Sequence, residues 1–517
     1  MYRSLLIILL ALTFCLSGLN MSAQAVKGAK LKDALPQPQP PTQTKDEKVK
    51  DPLPPVTQTT GKEPVIIIPG LTGSELINPK TDRTVWFSIK RDKDDDIRLP
   101  MTSTVLSTNR DSLKVGDIIR KVEVKIFPDI EVYQSLIDAL IQKGYTEATW
   151  DKPQATDVFY VFPYDWRRDN VETAHLLMQK IIAVKRALKR PDLKFDILAH
   201  SMGGLIARYA AMYGMADLPR GGAVPVPNWS GAASIHKLMM FGTPNEGSYN
   251  ALDALLNGSP IVADRKLPLV DDFRPEDVMS TPSAFQLLPH ITEGHFFDEN
   301  LKPLTVDIYD PKTWDKYGWG ALNEPKFLGK LRDAAMLSLK NKEIKPAPLS
   351  AKNTNIDDQI VSQTTYSQAR AYFVAALGRA KRFNAALDVP VKKAPLETYA
   401  FGGNCQPTLD GAIISYDAKK EKWTTSFEAK DYKTADGRDV KKDEVKALIF
   451  ALGDGRVTQF SLLTAASTKP GETAAQTGIF PYTTSFFGCG THTKLFLDKP
   501  IQDSFLSALV VEQGKQP

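Results

Sequence analysis

Cysteine and histidine are both scarce in this chain of 517 residues, with three of the first and six of the second. Three cysteines cannot build a disulfide scaffold, and neither a Cys-x-x-Cys pair nor a paired-histidine metal motif occurs. No metal or cofactor is expected. Charge of one sign is lacking too: lysine and arginine outnumber aspartate and glutamate by only 65 to 60. So small an excess makes no concentrated basic face, and nucleic acid is not an expected partner. Beyond the N-terminus no stretch reaches the ~18 apolar residues that a membrane-spanning helix requires, which excludes a multispanning protein. With 42% apolar and 24% charged residues, what remains is a globular protein with material for a large core.

The N-terminus reads as an address. Arg3 precedes an apolar run from Leu5 to Leu19, and Ala23-Gln24-Ala25 follows as a small-x-small cleavage site. A secretory signal over 1–25 is expected, with a secreted or periplasmic mature protein; retention of the segment as an anchor stays open. Cleavage removes Cys15 and leaves Cys405 and Cys489, which form either one bridge or two buried thiols. Residues 26–62 are rich in Lys, Gln, Thr and Pro, with seven prolines from Pro36 to Pro55. Such a composition buries too little apolar surface to offset chain entropy and predicts an extended linker.

From Glu63 onward, short apolar runs alternate with amphipathic stretches. The runs at 65–69, 157–162, 194–199 and 237–241 read as buried strands. Over 171–188 the apolar residues fall at 174, 177, 178, 181, 184 and 188, the spacing of one helical face. Buried strands alternating with helices predict an α/β protein with a mostly parallel central sheet. Polar residues dominate 410–446, where a hairpin is expected.

The run at 194–199 leads into His200-Ser201-Met202-Gly203-Gly204, after which a helix begins. Strand, sharp turn and helix make a nucleophile elbow, which lifts a serine hydroxyl above the sheet edge at the positive end of the helix. Small residues two before and two after the serine keep strand and helix from clashing; Gly203 fits, and Ala199 replaces the more usual glycine. Ser201 is thus the candidate nucleophile.

α/β-Hydrolases order their catalytic residues serine, acid, histidine. His175 lies in the helix over 171–188, His200 adjoins the serine but points elsewhere, and His236 introduces a strand. His290 and His295 precede any convincing acid loop. His492, in Gly488-Cys489-Gly490-Thr491-His492, remains as the general base. Its acid partner should follow a buried strand, and 447–451 reads as one, continuing into Leu452-Gly453-Asp454-Gly455. Asp454 is the expected acid, while its competitor Asp410 reads as a hairpin turn residue.

An early strand ends in Pro69-Gly70-Leu71-Thr72-Gly73-Ser74, where this fold places an oxyanion donor. The backbone N–H groups of Leu71 and Met202 are the candidate donors, a tight turn alone being the plainer alternative. The separation of Ser201 from Asp454 exceeds the needs of a bare sheet and predicts a large cap, with insertions over approximately 86–130 and 248–395. The stretch YDPKTWDKYGWG at 309–320 shows little periodicity. It provides either an apolar surface for an acyl chain or packing within the cap.

Together these pieces resemble the lecithin:cholesterol acyltransferase family, which includes lysosomal-type phospholipase A enzymes. The resemblance rests on PVIIIPGLTGSEL at 64–76, Trp86, the quartet Tyr164-Asp165-Trp166-Arg167, AHSMGG at 199–204 and GDG at 453–455. It implies an α/β-hydrolase fold with a lid, a triad of Ser201, Asp454 and His492, and oxyanion donors at Leu71 and Met202. It also implies transfer of a fatty acyl chain from a phospholipid to serine, then to water or an alcohol. The sequence departs from the family at Arg456-Val457-Thr458, where threonine, valine and proline are usual, and at 241–248, which looks closer to bacterial lipases. No cysteine lies between Val26 and Asn404, so the family's early disulfide is absent and the acceptor stays open between water, a sterol and another alcohol.

The expectation is a secreted serine lipid hydrolase or O-acyltransferase acting on a lipid or other ester, with peripheral membrane-surface contact left open. A triacylglycerol lipase or broad carboxylesterase is the alternative among enzymes. A catalytically silent hydrolase-fold binding protein is the alternative outside them. Nothing in the sequence bears on oligomeric state.

Overall fold

A strand covered on both faces needs apolar residues at nearly every position, and the runs read from the sequence meet that need. The computed structural model describes residues 61–88, 96–122, 130–219, 221, 223, 225–259, 273–340, 356–464 and 479–510. The leader expected over 1–25, and all but the last two residues of the linker expected over 26–62, lie outside the described residues. Seven strands form the main sheet: β1 (Val65–Ile68), β2 (Thr146–Glu147), β3 (Val158–Val161), β4 (Phe195–His200), β5 (Ile235–Phe241), β6 (Glu397–Gly403) and β7 (Thr484–Gly488). Their spatial order is β7-β6-β5-β4-β1-β3-β2, and every neighbouring pair is parallel. Strand order reverses between β1 and β4, so a crevice opens there beyond the strands' C-terminal ends.

Side chains alternate across the sheet with the period of two that a strand dictates. Val65, Ile67, Leu198, Met239 and Phe241 face a core closed by α1 (Gln134–Gln142) and by the helix Lys499–Val510. Ile66, Ile68, Ile197, Ala199, Leu238 and Met240 face the opposite core, shared with α2 (Asn170–Ala187) and α3 (Met202–Tyr213). In α2 the residues spaced at 174, 177, 178, 181 and 184 are buried, and the Asp169 side chain caps the helix by accepting from the Val171 and Glu172 amides. A parallel sheet with helices on both faces and long insertions toward its C-terminal end is the α/β-hydrolase fold.

A second apolar cluster has its own membership. It draws on the chain between β5 and β6 (Leu252, Phe285, Trp314, Trp319, Phe373) and, beyond residue 395, on the chain between β6 and β7 (Ile413, Val445, Ile449). The aromatic stretch at 309–320 belongs to it. A helix forms over Pro311–Tyr317, Trp314, Tyr317 and Trp319 are buried, and the Trp314 indole N–H donates to the Ile308 carbonyl at 2.7 Å. These rings therefore pack the insertion. A small recess among them, lined also by Leu255, Met279 and Phe373, includes none of Ser201, Asp454 and His492.

Two local readings differ from the sequence expectation. Residues 447–449 end a helix, Lys442–Ile449, and only Phe450–Gly453 is a strand. That strand pairs antiparallel with Gln406–Leu409, outside the main sheet. A five-residue apolar run does not distinguish a strand from the buried side of a helix, and here Val445 and Ile449, four apart, supply the buried side. Asp410 lies between Gln406–Leu409 and Ala412–Asp417, strands of two different sheets, while the hairpin in this region joins Ala412–Asp417 to Lys422–Ser426.

The Tyr164-Asp165-Trp166-Arg167 quartet follows β3 and braces the loop after β1. The Tyr164 hydroxyl donates to the Pro69 carbonyl at 2.8 Å, and Trp166 packs edge-on against Trp86, whose indole N–H donates to the Thr72 carbonyl at 2.8 Å. Arg167 is fully buried between Asp165 and Asp111, and it also donates to the Ile97 carbonyl. Replacing it by a neutral side chain strands two carboxylates and a carbonyl. Arg167→Met should lower the unfolding free energy by about 3 kcal/mol, read as a lower urea midpoint at unchanged slope.

Candidate active site

β4 and α3 are consecutive, and Ser201 is the single residue between them. Its φ of 54° is unfavourable for a side chain with a Cβ, at a cost of about 1–3 kcal/mol. Surrounding contacts hold it there. The Ser201 amide donates to the Phe241 carbonyl at 2.8 Å, and a Cβ at Gly203 would stand 2.6 Å from the Pro69 carbonyl oxygen. The elbow exists because helix and strand meet at a residue without a side chain. Ala199, fully buried between its partners Ile68 and Met240, is small enough to let this happen.

His492 opens a short 3₁₀ helix after β7, with Thr491 preceding it in extended conformation. Its Nε2 accepts from the Ser201 hydroxyl at 2.9 Å, and its Nδ1–H donates to Asp454 Oδ2 at 2.8 Å. The Asp454 side chain is buried, and its Oδ1 accepts from the Arg456 and Val457 amides at 3.0 and 2.8 Å. The His492 amide donates to the Asp454 carbonyl at 2.9 Å, so backbone and side chain both tie His492 to Asp454. Asp454 follows the short strand Phe450–Gly453, which lies outside the main sheet, in the chain between β6 and β7. Gly242, at φ 55°, makes room for the pair. A Cβ there would stand 2.8 Å from Asp454 Oδ2 and 3.0 Å from His492 Nδ1.

The loop after β1 lies across the crevice from α3, and a Cβ at Gly70 would stand 2.8 Å from the Ser201 Cβ. The Gly70 amide is taken: it donates to the Tyr133 hydroxyl at 2.8 Å. The next amide, Leu71, has no acceptor among the described residues, and neither has that of Met202, first residue of α3. These two uncommitted amides are the candidates for stabilising an oxyanion.

Sequence reasoning missed what lies beneath. Tyr133 and His200 are buried, and the Tyr133 hydroxyl, while accepting from Gly70, donates to His200 Nδ1 at 2.9 Å. His200 Nε2–H then donates to the His492 carbonyl at 3.0 Å. His200 thus links the Gly70 loop, through Tyr133, to the His492 loop. Nothing in the sequence marks Tyr133, which lies just before α1. Burial drives the His200 imidazole from its ordinary 6.5 to about 3, with the adjacent His492 acting in the same direction, so it is neutral here.

The other histidines lie elsewhere. His175 bonds the Ala216 carbonyl, His236 pairs with Asp196 at 2.8 Å, and His290 approaches Glu246 and Asp388. Asp410 meets His295, not His492, and burial pushes its carboxyl up to about 6 against the pull of that histidine. Cys405 and Cys489 form a disulfide that joins the end of β6 to the loop leading into His492. With its ends 84 positions apart in the sequence, it restricts the unfolded chain by about 4.5 kcal/mol.

Two outcomes follow from this packing. Gly242→Ala should misplace the Asp454–His492 pair and slow covalent labelling of Ser201 by a fluorophosphonate at least about a hundredfold, measured as a rate at saturating probe. His200 is neutral when folded but takes up a proton below pH 6.5 when unfolded, so stability falls as pH drops from 6.5 toward 3. His200→Gln has no imidazole to protonate there, and its thermal midpoint should fall less steeply than that of the natural protein between pH 6.5 and about 4.

Among solved structures, the chain is similar to one in the Tle4–Tli4 complex, at 14% identity and a TM-score of 0.41, covering 86% of this chain and 97% of that one. It is also similar to the Bacillus licheniformis lipase BlEst2 in mature form, at 11% identity and a TM-score of 0.30, covering 89% and 96% respectively. No curated protein sequence matches it. Among the described residues no helix is long and apolar enough to cross a membrane. The model of one family, lecithin:cholesterol acyltransferase, matches residues 120–462, a span that holds Ser201 and Asp454 and stops short of His492. That span is well over half of the sequence, and the chain belongs to the lecithin:cholesterol acyltransferase family.

Proposed function

We propose that this protein is a secreted serine lipid acyl hydrolase and O-acyltransferase, carrying a fatty acyl group from a phospholipid-like ester through acyl-Ser201 to water or an alcohol. Family membership supports the lipid acyl chemistry. The observation that carries the serine mechanism is the unbroken chain from Asp454 through His492 to Ser201, with links of 2.8 and 2.9 Å.

His492 Nε2 takes the hydroxyl proton as Ser201 Oγ adds to the ester carbonyl carbon. The carbonyl electrons move onto oxygen, where the Leu71 and Met202 N–H groups stabilise the charge. Asp454 remains a carboxylate and steadies the imidazolium. Collapse expels the alcohol part of the ester, which leaves with the proton from His492. Water or a second alcohol then gives its proton to His492 and attacks the acyl carbon, and Ser201 departs with that proton restored.

Secretion is supported by the signal-like segment ending at Ala25 and by the Cys405–Cys489 bridge, since disulfides persist in oxidising compartments.

The test is mass spectrometry of phosphatidylcholine liposomes containing a sterol and a long-chain alcohol, incubated with the natural protein or with Ser201→Ala. The natural protein should release lysolipid and form fatty acid or a new ester, and Ser201→Ala should lose at least about 10⁴-fold of this turnover. Equal turnover by the variant would overturn the serine mechanism. Intact phospholipid with cleavage of short soluble esters alone would leave a carboxylesterase, and failure to react with a fluorophosphonate would leave a silent binding protein.

A further inference from the structure

Glu246, His290 and Asp388 are remote in sequence and meet at the root of the insertion between β5 and β6. Glu246 stands in the loop leaving β5, His290 follows the short helix Pro282–Phe285, and Asp388 succeeds the long helix Ile356–Leu387 before the chain returns to β6. His290 Nε2 lies 2.8 Å from Glu246 Oε2 and 3.2 Å from Asp388 Oδ2. One ligand atom from each residue falls within 4.8 Å of the other two.

Distances so short usually mean hydrogen bonds, yet none forms. Both Glu246 carboxylate oxygens, both His290 ring nitrogens and Asp388 Oδ1 are buried without a hydrogen-bond partner among the described residues. At 2.8 Å only misdirection accounts for this: the oxygens stand off the axis along which the imidazole would donate. Burial is deep, with side-chain exposure of 2% for Glu246 and 10% for His290. Arg208, the buried cation whose field reaches Glu246 and Asp388, gives its terminal N–H groups to Asn245 Oδ1 and to the Leu387 carbonyl instead. The Asp388 side chain is 27% exposed, but the Glu246 carboxylate left this way costs several kcal/mol unless something positive lies beside it.

We propose that Glu246, His290 and Asp388 bind one zinc-type divalent cation that pins both ends of the insertion to the loop leaving β5. Two carboxylate oxygens and one imidazole nitrogen are a zinc donor set, and a water completes four-coordination. Bonds of about 2.0–2.1 Å in a tetrahedron separate ligand atoms by about 3.3 Å; the 3.2 Å from His290 to Asp388 matches this, and the 2.8 Å from His290 to Glu246 would have to open by about half an ångström. Calcium is disfavoured, since it takes six to eight oxygen ligands. The ion would sit apart from the reacting atoms and act structurally. The loop it holds also contains Gly242, which packs against Asp454 and His492. No spacing rule points to these residues in the sequence, because only the fold assembles them.

The test uses the full chain, stripped with a chelator and dialysed against zinc sulfate, with metal counted by inductively coupled plasma mass spectrometry. One zinc per chain should bind, and zinc should raise the thermal midpoint by about 5 °C over the chelated protein. Glu246→Gln and His290→Gln should each lose the stoichiometric zinc and the thermal shift. His492→Gln should keep both, which separates this site from adventitious binding at the catalytic histidine. Absence of stoichiometric zinc in the natural protein, or its retention by both Glu246→Gln and His290→Gln, would overturn the proposal and leave an imidazolium bridging two carboxylates. If those variants fail to fold, the zinc count and thermal shift of the natural protein decide alone.

Discussion

The position of His492 is the constraint from which the rest of the proposed site follows. Its ring is engaged at both nitrogens, its amide donates to the Asp454 carbonyl, and its carbonyl accepts from His200. Proton transfer along such a chain tolerates little displacement, so each anchor has to be rigid. Rigidity comes from different sources. Asp454 Oδ1 is held by two amides, the loop before His492 is tied to β6 by the disulfide, and His200 is locked beneath by Tyr133.

The crevice follows from strand order. β1 and β4 are neighbours in the sheet but distant in sequence, so the loops at their C-terminal ends face each other across the point where winding reverses. One loop brings Gly70 and Leu71, the other Ser201 and Met202. The Tyr164–Arg167 quartet serves this arrangement from outside. Tyr164 and Trp86 bind carbonyls of the Pro69–Thr72 loop and so brace the segment that carries Gly70 and Leu71.

Legibility in the sequence tracked how local each interaction is. The elbow at 199–204 could be read because its requirements, small residues and a strand-to-helix switch, are met within six positions. α2 could be read for the same reason, its buried face repeating within the helix itself. The strand at β7 was not read, since its residues are mostly half-buried and give no clean apolar run. The run at 447–451 was misread because the helix before it hid its period in polar company. Asp454 was chosen for following a buried strand, and the strand it does follow belongs to a small antiparallel pair outside the main sheet. The glycine-flanked loop was the informative part of that reading.

By itself the sequence determined a serine at a strand-to-helix elbow, then an aspartate and a histidine on glycine-bearing loops, the three residues proposed for the reacting centre. It also determined an α/β alternation, because strand and helix periods are properties of short segments. Only the tertiary structure decided which partners meet. Tyr133 beside His200, Gly242 against the Asp454–His492 pair, the Cys405–Cys489 bridge and the gathering of Glu246, His290 and Asp388 each join positions from 44 to 250 apart in the chain. Contacts at that range leave no periodic trace in a single sequence; they are fixed by how sheet, helices and insertion pack.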